Sequence, residues 1–474
     1  MLFKTAVSRA GKTLIVALTI PLLAGCVAEQ RLAWSPDGKK LALVGADGVR
    51  VSTDGGLRLG EPVEEDAQLV AWFPDSKRVA VVTKSECESW SDFEKVVDSE
   101  EVDAIKNGAS QFLKQLEICG GNYAACRDAL MKERFNGAYL GAILYYLRST
   151  SQNDMRRLVG RDWNVVKPTD LFTTISRIKI FEVEGDGSLN HKQTLTCTSD
   201  DFESVKVSPS NEFVCLVDRD ANLCLSQTAS GSKGFRRIAS RFAKLPDWDL
   251  NTDVIYGLHT VLKTDKSGEK EFQELVSVDA RKPGLLKRLA AASTQNPKVR
   301  ATVDGNLILG SVVNLPAGSR AKTKSIDALS VFNLTTGKTK RIYQASRGDK
   351  LENFEVSPDG KNVSIPNASG ALTILSLPNG KSRKIISGSL KNERDVFAPV
   401  WRNNKEVCFE RVSVKDGSGQ VALFSLDTNK SRDISVKWPS KAVLGILNNP
   451  DDKRLSFEQM LSDLKEQKKT KVKG

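Results

Sequence analysis

At 474 residues the chain is long enough for two or three average domains, or for one large repeat array carrying an insertion. Its net charge of +12 is spread thinly over a sequence in which 27% of residues are charged, which argues against a nucleic-acid-binding surface. With only two histidines, His191 and His259, sites built on several imidazoles are excluded.

The chain begins with Lys4, Arg9 and Lys12, then the apolar run Leu14 to Leu23, then small residues. A charged segment followed by ten apolar residues reads as a secretory signal, too short to span a bilayer as a mature helix. The junction Leu23-Ala24-Gly25-Cys26 resembles the lipobox of bacterial lipoproteins. That resemblance implies diacylglycerol transfer to the Cys26 sulfur, cleavage of residues 1–25, and N-acylation of the new terminus. Two or more acyl chains anchor firmly where one is marginal. The other reading is an ordinary secretory signal that contains a cysteine. Val27, where the family's inner-membrane signal would be Asp, leans towards an outer membrane facing the periplasm, or the cell surface. Removing residues 1–25 leaves a net charge of +9.

The stretch Trp34-Ser35-Pro36-Asp37-Gly38-Lys39, followed by apolar alternation, is the unit to which the sequence returns. It recurs at Trp72-Phe73-Pro74-Asp75, at Val356-Ser357-Pro358-Asp359-Gly360-Lys361 and, worn, at Val207-Ser208-Pro209-Ser210. Pro presets φ for the second position of a type I turn, and Asp and Gly suit the positions after it. Each copy is thus a tight turn into a buried strand. Trp248-Asp249-Leu250-Asn251, Val303-Asp304-Gly305-Asn306 and Trp401-Arg402-Asn403-Asn404 are divergent copies. Closing hairpins such as Phe332-Asn333-Leu334-Thr335-Thr336-Gly337-Lys338 and Phe424-Ser425-Leu426-Asp427-Thr428-Asn429-Lys430 superpose without gaps. The pattern predicts a mainly β fold, a β-propeller of about seven four-stranded blades.

These turn-and-strand units resemble the propeller repeat of the TolB family and its WD-repeat-like relatives. Asp218-Arg219-Asp220-Ala221-Asn222 also resembles that family's Asp-Arg-Asp-Gly-Asn turn. The resemblance covers about residues 30–83 and 170–436 and implies a fold, not an activity, because such blades serve binding proteins, proteases and lyases alike. The chain departs from TolB in its lipobox, its inserted helices and its lack of a preceding α/β domain.

The expected organisation is a signal at 1–25, first blades at 26–85, an α-helical insertion at 86–165, remaining blades at 166–438 and a helical basic tail at 439–474. In the insertion, Gly120-Gly121 stops one helix and Asn122 caps the next. Phe135 to Leu147 is nearly all apolar and contains Tyr139, Tyr145 and Tyr146. It is either a buried helix of a small bundle or an aromatic surface for a partner. In the tail, Phe457, Met460, Leu461 and Leu464 share one helical face. Lys468, Lys469, Lys471 and Lys473 suit either a solvated end or anionic lipid.

Cys26 apart, seven cysteines remain in a compartment that permits disulfides. Cys215 and Cys224 are expected opposite each other across a two-residue hairpin at Arg219-Asp220. Cys119 and Cys126 flank the Gly120-Gly121 break and could tie two helices together.

No zinc spacing, nucleophile elbow, nucleotide fingerprint or twelve-residue calcium loop occurs, so no catalytic residue, metal or cofactor is assigned. Two functions follow. One is a membrane-anchored binding module that holds an envelope protein on its propeller face or its insertion. The other is an envelope hydrolase or lyase with carboxylates converging in the channel.

Overall fold

The computed structural model describes residues 30–439 apart from 160–165, 167–173, 316–324 and a number of shorter connections. The signal, Cys26 and the tail expected to be helical lie outside the described residues.

Seven antiparallel sheets follow one another along the chain, each a meander of strands in sequence order. Blade 1 is Leu32–Trp34, Leu41–Gly45 and Gly48–Ser52; in place of a fourth strand, Val63 and Val49 exchange backbone hydrogen bonds of 2.7 and 2.9 Å. Blade 2 is Ala67–Trp72, Arg78–Glu86, Thr174–Val183 and Leu189–Cys197, with the insertion between its second and third strands. Blade 3 is Val205–Val207, Phe213–Val217, Leu223–Gln227 and Arg236–Ala239. Blade 4 is Asp247–Trp248, Val254–Asp265, Gly268–Asp279 and Leu286–Ala292. Blade 5 is Val299–Ala301, Asn306–Asn314, Ser325–Asn333 and Thr339–Gln344. Blade 6 is Glu355–Val356, Asn362–Pro366, Ala371–Ser376 and Ser382–Ser387. Blade 7 is Arg394–Asn403, Glu406–Ser413, Ser418–Ser425 and Lys430–Asp433, and Trp438–Pro439 pairs with the start of its third strand.

The molecule is a seven-bladed propeller, and every turn copy read from the sequence opens a blade. Its core is not one mass but a separate apolar layer between each pair of blades. Leu41, Leu43, Cys408 and Leu423 form the layer that joins blade 7 to blade 1. The ring closes through this packing, with no strand exchanged between blades 1 and 7 among the described residues. At the same junction Arg31 and Glu410, both fully buried, pair at 2.9 Å, and Arg402 Nε donates to Gly38 O at 3.0 Å.

The turn chemistry explains why the motif repeats. Ser35 accepts from Gly38 N–H through its carbonyl, and Asp37 Oδ1 takes bonds from Ser35 Oγ and Lys39 N. Ser357, Gly360, Asp359 and Lys361 repeat each of these bonds. The fourth residue is left-handed, with φ of 69° at Gly38 and 70° at Gly360, a region open to Gly at little cost. The Trp at or near the end of four first strands reaches back to the preceding blade. Trp72 and Trp401 donate to Ala33 O and Glu355 O at 2.9 and 3.1 Å, while Trp34 packs in the same apolar layer as Cys408, and Trp248 in the same layer as Cys215.

The insertion folds as α1 (Trp90–Val96), α2 (Ser99–Ile118), α3 (Tyr123–Leu130), α4 (Leu140–Thr150) and α5 (Gln152–Val159) around its own apolar core. Asn122 caps α3 by accepting from Ala125 N, as its position implies. The apolar run from Phe135 is not one helix. Asn136 and Gly137, at φ 51° and 84°, turn it into a small hairpin, and α4 starts only at Leu140.

A second correction concerns blade 3. Cys215 pairs with Leu225 and Cys224 with Leu216, so the two cysteines are one register apart. Cys215 faces the layer towards blade 4 and Cys224 the layer towards blade 2. Ala221 adopts φ 60° and Asp218 N bonds to Asn222 O, which makes the turn one residue longer than the two-residue hairpin. A one-residue slip moves a side chain to the other face of a sheet, and the expected disulfide cannot form.

Candidate functional site

Strands alternate in direction, so the turns between first and second strands, and between third and fourth, all lie on one face of the disc. This is the turn face. The insertion leaves blade 2 between its second and third strands and therefore stands on the opposite face.

On the turn face neighbouring turns are linked. Asp37 N bonds to Ser76 Oγ at 3.2 Å, Asp75 N to Asn211 Oδ1 at 3.3 Å, and Asp359 N to Asn404 Oδ1 at 2.9 Å. The second residue of each turn points outward: Pro36, Pro74, Leu250, Val303, Pro358 and, in blade 7, the polar Asn403 are exposed, and Pro209 is half-buried. Val303 is 55% exposed, Leu250 44%, and Leu285, in the outer turn of blade 4, 80%. Exposed aliphatic side chains at five of the seven repeated positions, on a backbone fixed by side-chain caps, make a rigid apolar collar at this end of the axis, interrupted in blade 7 by Asn403.

On the opposite face the insertion is docked onto blade 3. Tyr139 donates its hydroxyl to Asp218 Oδ2 at 2.8 Å, and the Arg134 guanidinium lies 3.3 Å from the Tyr139 ring centroid and 3.7 Å from the same oxygen. Asp218 is held in turn by Asn222 through its side-chain and backbone N–H groups. The three tyrosines weighed as a partner surface therefore have separate fates. Tyr145 is buried in the insertion core and donates to Cys87 O at 3.1 Å. Tyr146 is half-buried against Trp90, centroids 4.9 Å apart, and Tyr139 is a half-buried docking contact.

The first strands of neighbouring blades lie side by side and line the axis. Two groups of charges meet there. Lys206 pairs with Asp247 at 3.3 Å. Glu355 receives Lys298 at 2.6 Å and Arg300 in a two-pronged contact at 2.9 Å, while Asn353 also accepts from the fully buried Lys298. Burial alone would raise the Glu355 carboxyl, but Arg300 and Lys298, with Lys206 behind them, more than offset it and hold the group well below the usual carboxylate range. A carboxyl held ionised cannot serve as a general acid, which needs a raised pKa. Gln30 links the first strands of blades 2 and 3 at the insertion-side end of the axis. Its side-chain amide accepts from Val205 N at 2.6 Å and donates to Val205 O at 2.9 Å, and its carbonyl accepts from Val70 N at 2.9 Å.

The remaining candidates do not converge. His191 bonds to Thr194 and packs on Phe181 in blade 2, while His259 sits opposite Glu274 in blade 4. Burial lowers the His259 imidazole, partly offset by Glu274. Among the described residues no three of His, Cys, Asp and Glu are placed to share a metal ion. Cys119 and Cys126 are both free thiols, Cys126 Sγ lying 3.8 Å from Cys119 O. The Tyr139–Asp218 contact, the Gln30 link and the Glu355 cluster carried no sequence signal, because their partners are tens to more than a hundred residues apart.

No known family model matches the chain, and neither does any curated protein. Among solved structures it is similar to an oligogalacturonate lyase in complex with manganese, at 10% identity, over 55% of this chain and 70% of that one, TM-score 0.37. It is also similar to an acylaminoacyl peptidase of Pyrococcus horikoshii at 12% identity, over 56% of this chain and 42% of that one, TM-score 0.37. The β-propeller domain of Cps50 (Swd1) from Myceliophteria thermophila shares 10% identity over 88% of this chain and 97% of that one, TM-score 0.45. Likeness at this level describes a shared propeller shape only.

Proposed function

We propose that the protein is an extracytoplasmic lipoprotein, held at a membrane through acylated Cys26, whose TolB-like propeller is a scaffold for another protein of the cell envelope. The observation that carries this reading is the collar on the turn face, with Pro36, Pro74, Leu250, Val303 and Pro358 exposed at one repeated turn position. Exposed apolar side chains gathered on one face mark interaction sites more often than scattered ones do, and a backbone already ordered spares a partner the entropy of ordering it. The alternative is a hydrolase or lyase working through carboxylates on the axis, where Glu355 is held ionised by its basic neighbours and Asp247 is paired with Lys206.

The test is to crosslink purified mature protein to envelope extract and, in parallel, to assay turnover of cell-wall sugars and peptides. Capture of a discrete envelope protein without turnover supports the scaffold. Turnover without capture contradicts it and moves the search to the axis.

A further inference from the structure

The described chain starts on the face that bears the insertion. Leu32–Trp34 runs from there to the turn face, so Gln30 lies at the insertion-side end of the axis, where it bonds to the first strands of blades 2 and 3. Cys26 precedes Gln30 by four residues, at most about 14 Å of extended chain. So short a segment keeps Cys26 near the insertion-side end of the axis. The last described strand also lies at the insertion face. Trp438–Pro439 pairs with Ser418–Gly419, the insertion-side end of a blade 7 strand. The same face carries exposed Ile118, on the insertion, and Phe272, on the long hairpin of blade 4.

We infer that the insertion face is the membrane-apposed side of the disc. The bilayer surface is its partner, and the short span from Cys26 to Gln30 is its cause. This orientation rests on acylation of Cys26 as proposed above. It gives the turn face one consequence: the apolar collar points away from the membrane, towards whatever approaches from the adjoining compartment. A long flexible linker would leave a lipoprotein free to tumble; here the anchor and the fold are almost contiguous.

The experiment uses the full acylated chain, with its acyl group verified by mass spectrometry, in liposomes of phosphatidylethanolamine and phosphatidylglycerol. Lysine reactivity towards a water-soluble acylating reagent is read by peptide mass spectrometry and compared with the same protein in detergent. The expected result is a several-fold loss of reactivity at Lys106 and Lys114 on the insertion, with Lys39, Lys338, Lys381 and Lys405 on the turn face unchanged. A long Gly/Ser spacer inserted after Val27 should restore reactivity at Lys106 and Lys114. Protection of the turn-face lysines, or uniform reactivity on an acylated protein, overturns the orientation alone. A mature protein without an acyl group overturns both the anchor and the orientation.

Discussion

The Tyr139 hydroxyl and the Asp218 carboxylate meet at 2.8 Å across 79 residues of chain, and this contact joins the helical insertion of blade 2 to the turn of blade 3. A bond to a buried, ionised acceptor contributes about 1.5–3 kcal/mol. Tyr139→Phe should therefore destabilise the insertion by roughly that amount and leave the blades intact. Amide exchange by mass spectrometry should show faster exchange in α2 and α4 and no change in blades 5 to 7. Unaltered exchange in the insertion would mean that its own core suffices to hold it.

Glu355 makes stability depend on pH in a defined direction. Its carboxyl is depressed in the folded state, so the contribution is complete above the unfolded carboxylate pKa of about 4.3 and is lost as pH falls below it. Glu355→Gln should remove that acid limb and cost about 3 kcal/mol at neutral pH, because the buried Lys298 and Arg300 lose their counter-charge. Urea titrations at pH 7 and pH 3.5 read both effects. A variant with the wild-type slope between those pH values would show that the carboxylate is not paired.

Ala221 occupies the left-handed position at which the resembled family's turn has Gly. Left-handed backbone costs a residue with a Cβ about 1–2 kcal/mol, partly returned as unfolded-state entropy when Gly replaces it. Ala221→Gly should raise stability by roughly 0.5 kcal/mol without changing the register of blade 3. A loss of stability in the same denaturation assay would argue for a different turn.

The cysteines should fall into two classes. Burial pushes the Cys408 thiol up to about 12 and raises that of Cys215 further, so neither should react with maleimide until the protein unfolds. Cys119, exposed at the end of α2, should react in the native state. A Cys215–Cys224 linked peptide from native protein would contradict the register described above.

The blades were legible because their signals are local. Pro, Asp, Gly and Trp punctuate each copy within about six residues, and alternation does the rest. The insertion was legible as helices for the same reason, but its docking was not, since Tyr139 and Asp218 are remote in sequence. The hairpin at Asp218 misled because Ala221 in a left-handed position adds a residue that spacing alone does not reveal. The helix read from Phe135 failed at Asn136-Gly137, a turn signal outweighed by a long apolar run. The charges on the axis, Lys298 and Glu355 among them, look in sequence like any solvated Lys and Glu; only the ring closes them into one cluster.

The central claim, a scaffold whose turn face meets an envelope protein, is tested most directly by one crosslinking capture from native membranes. Wild type is compared with a Leu250→Glu/Val303→Glu variant and with a form whose insertion, residues 90–159, is replaced by a short Gly/Ser linker. The account predicts that one protein is captured by wild type and by the insertion-replaced form, and is lost when the two turn residues become charged. Capture that survives the turn-face variant and disappears with the insertion would contradict it.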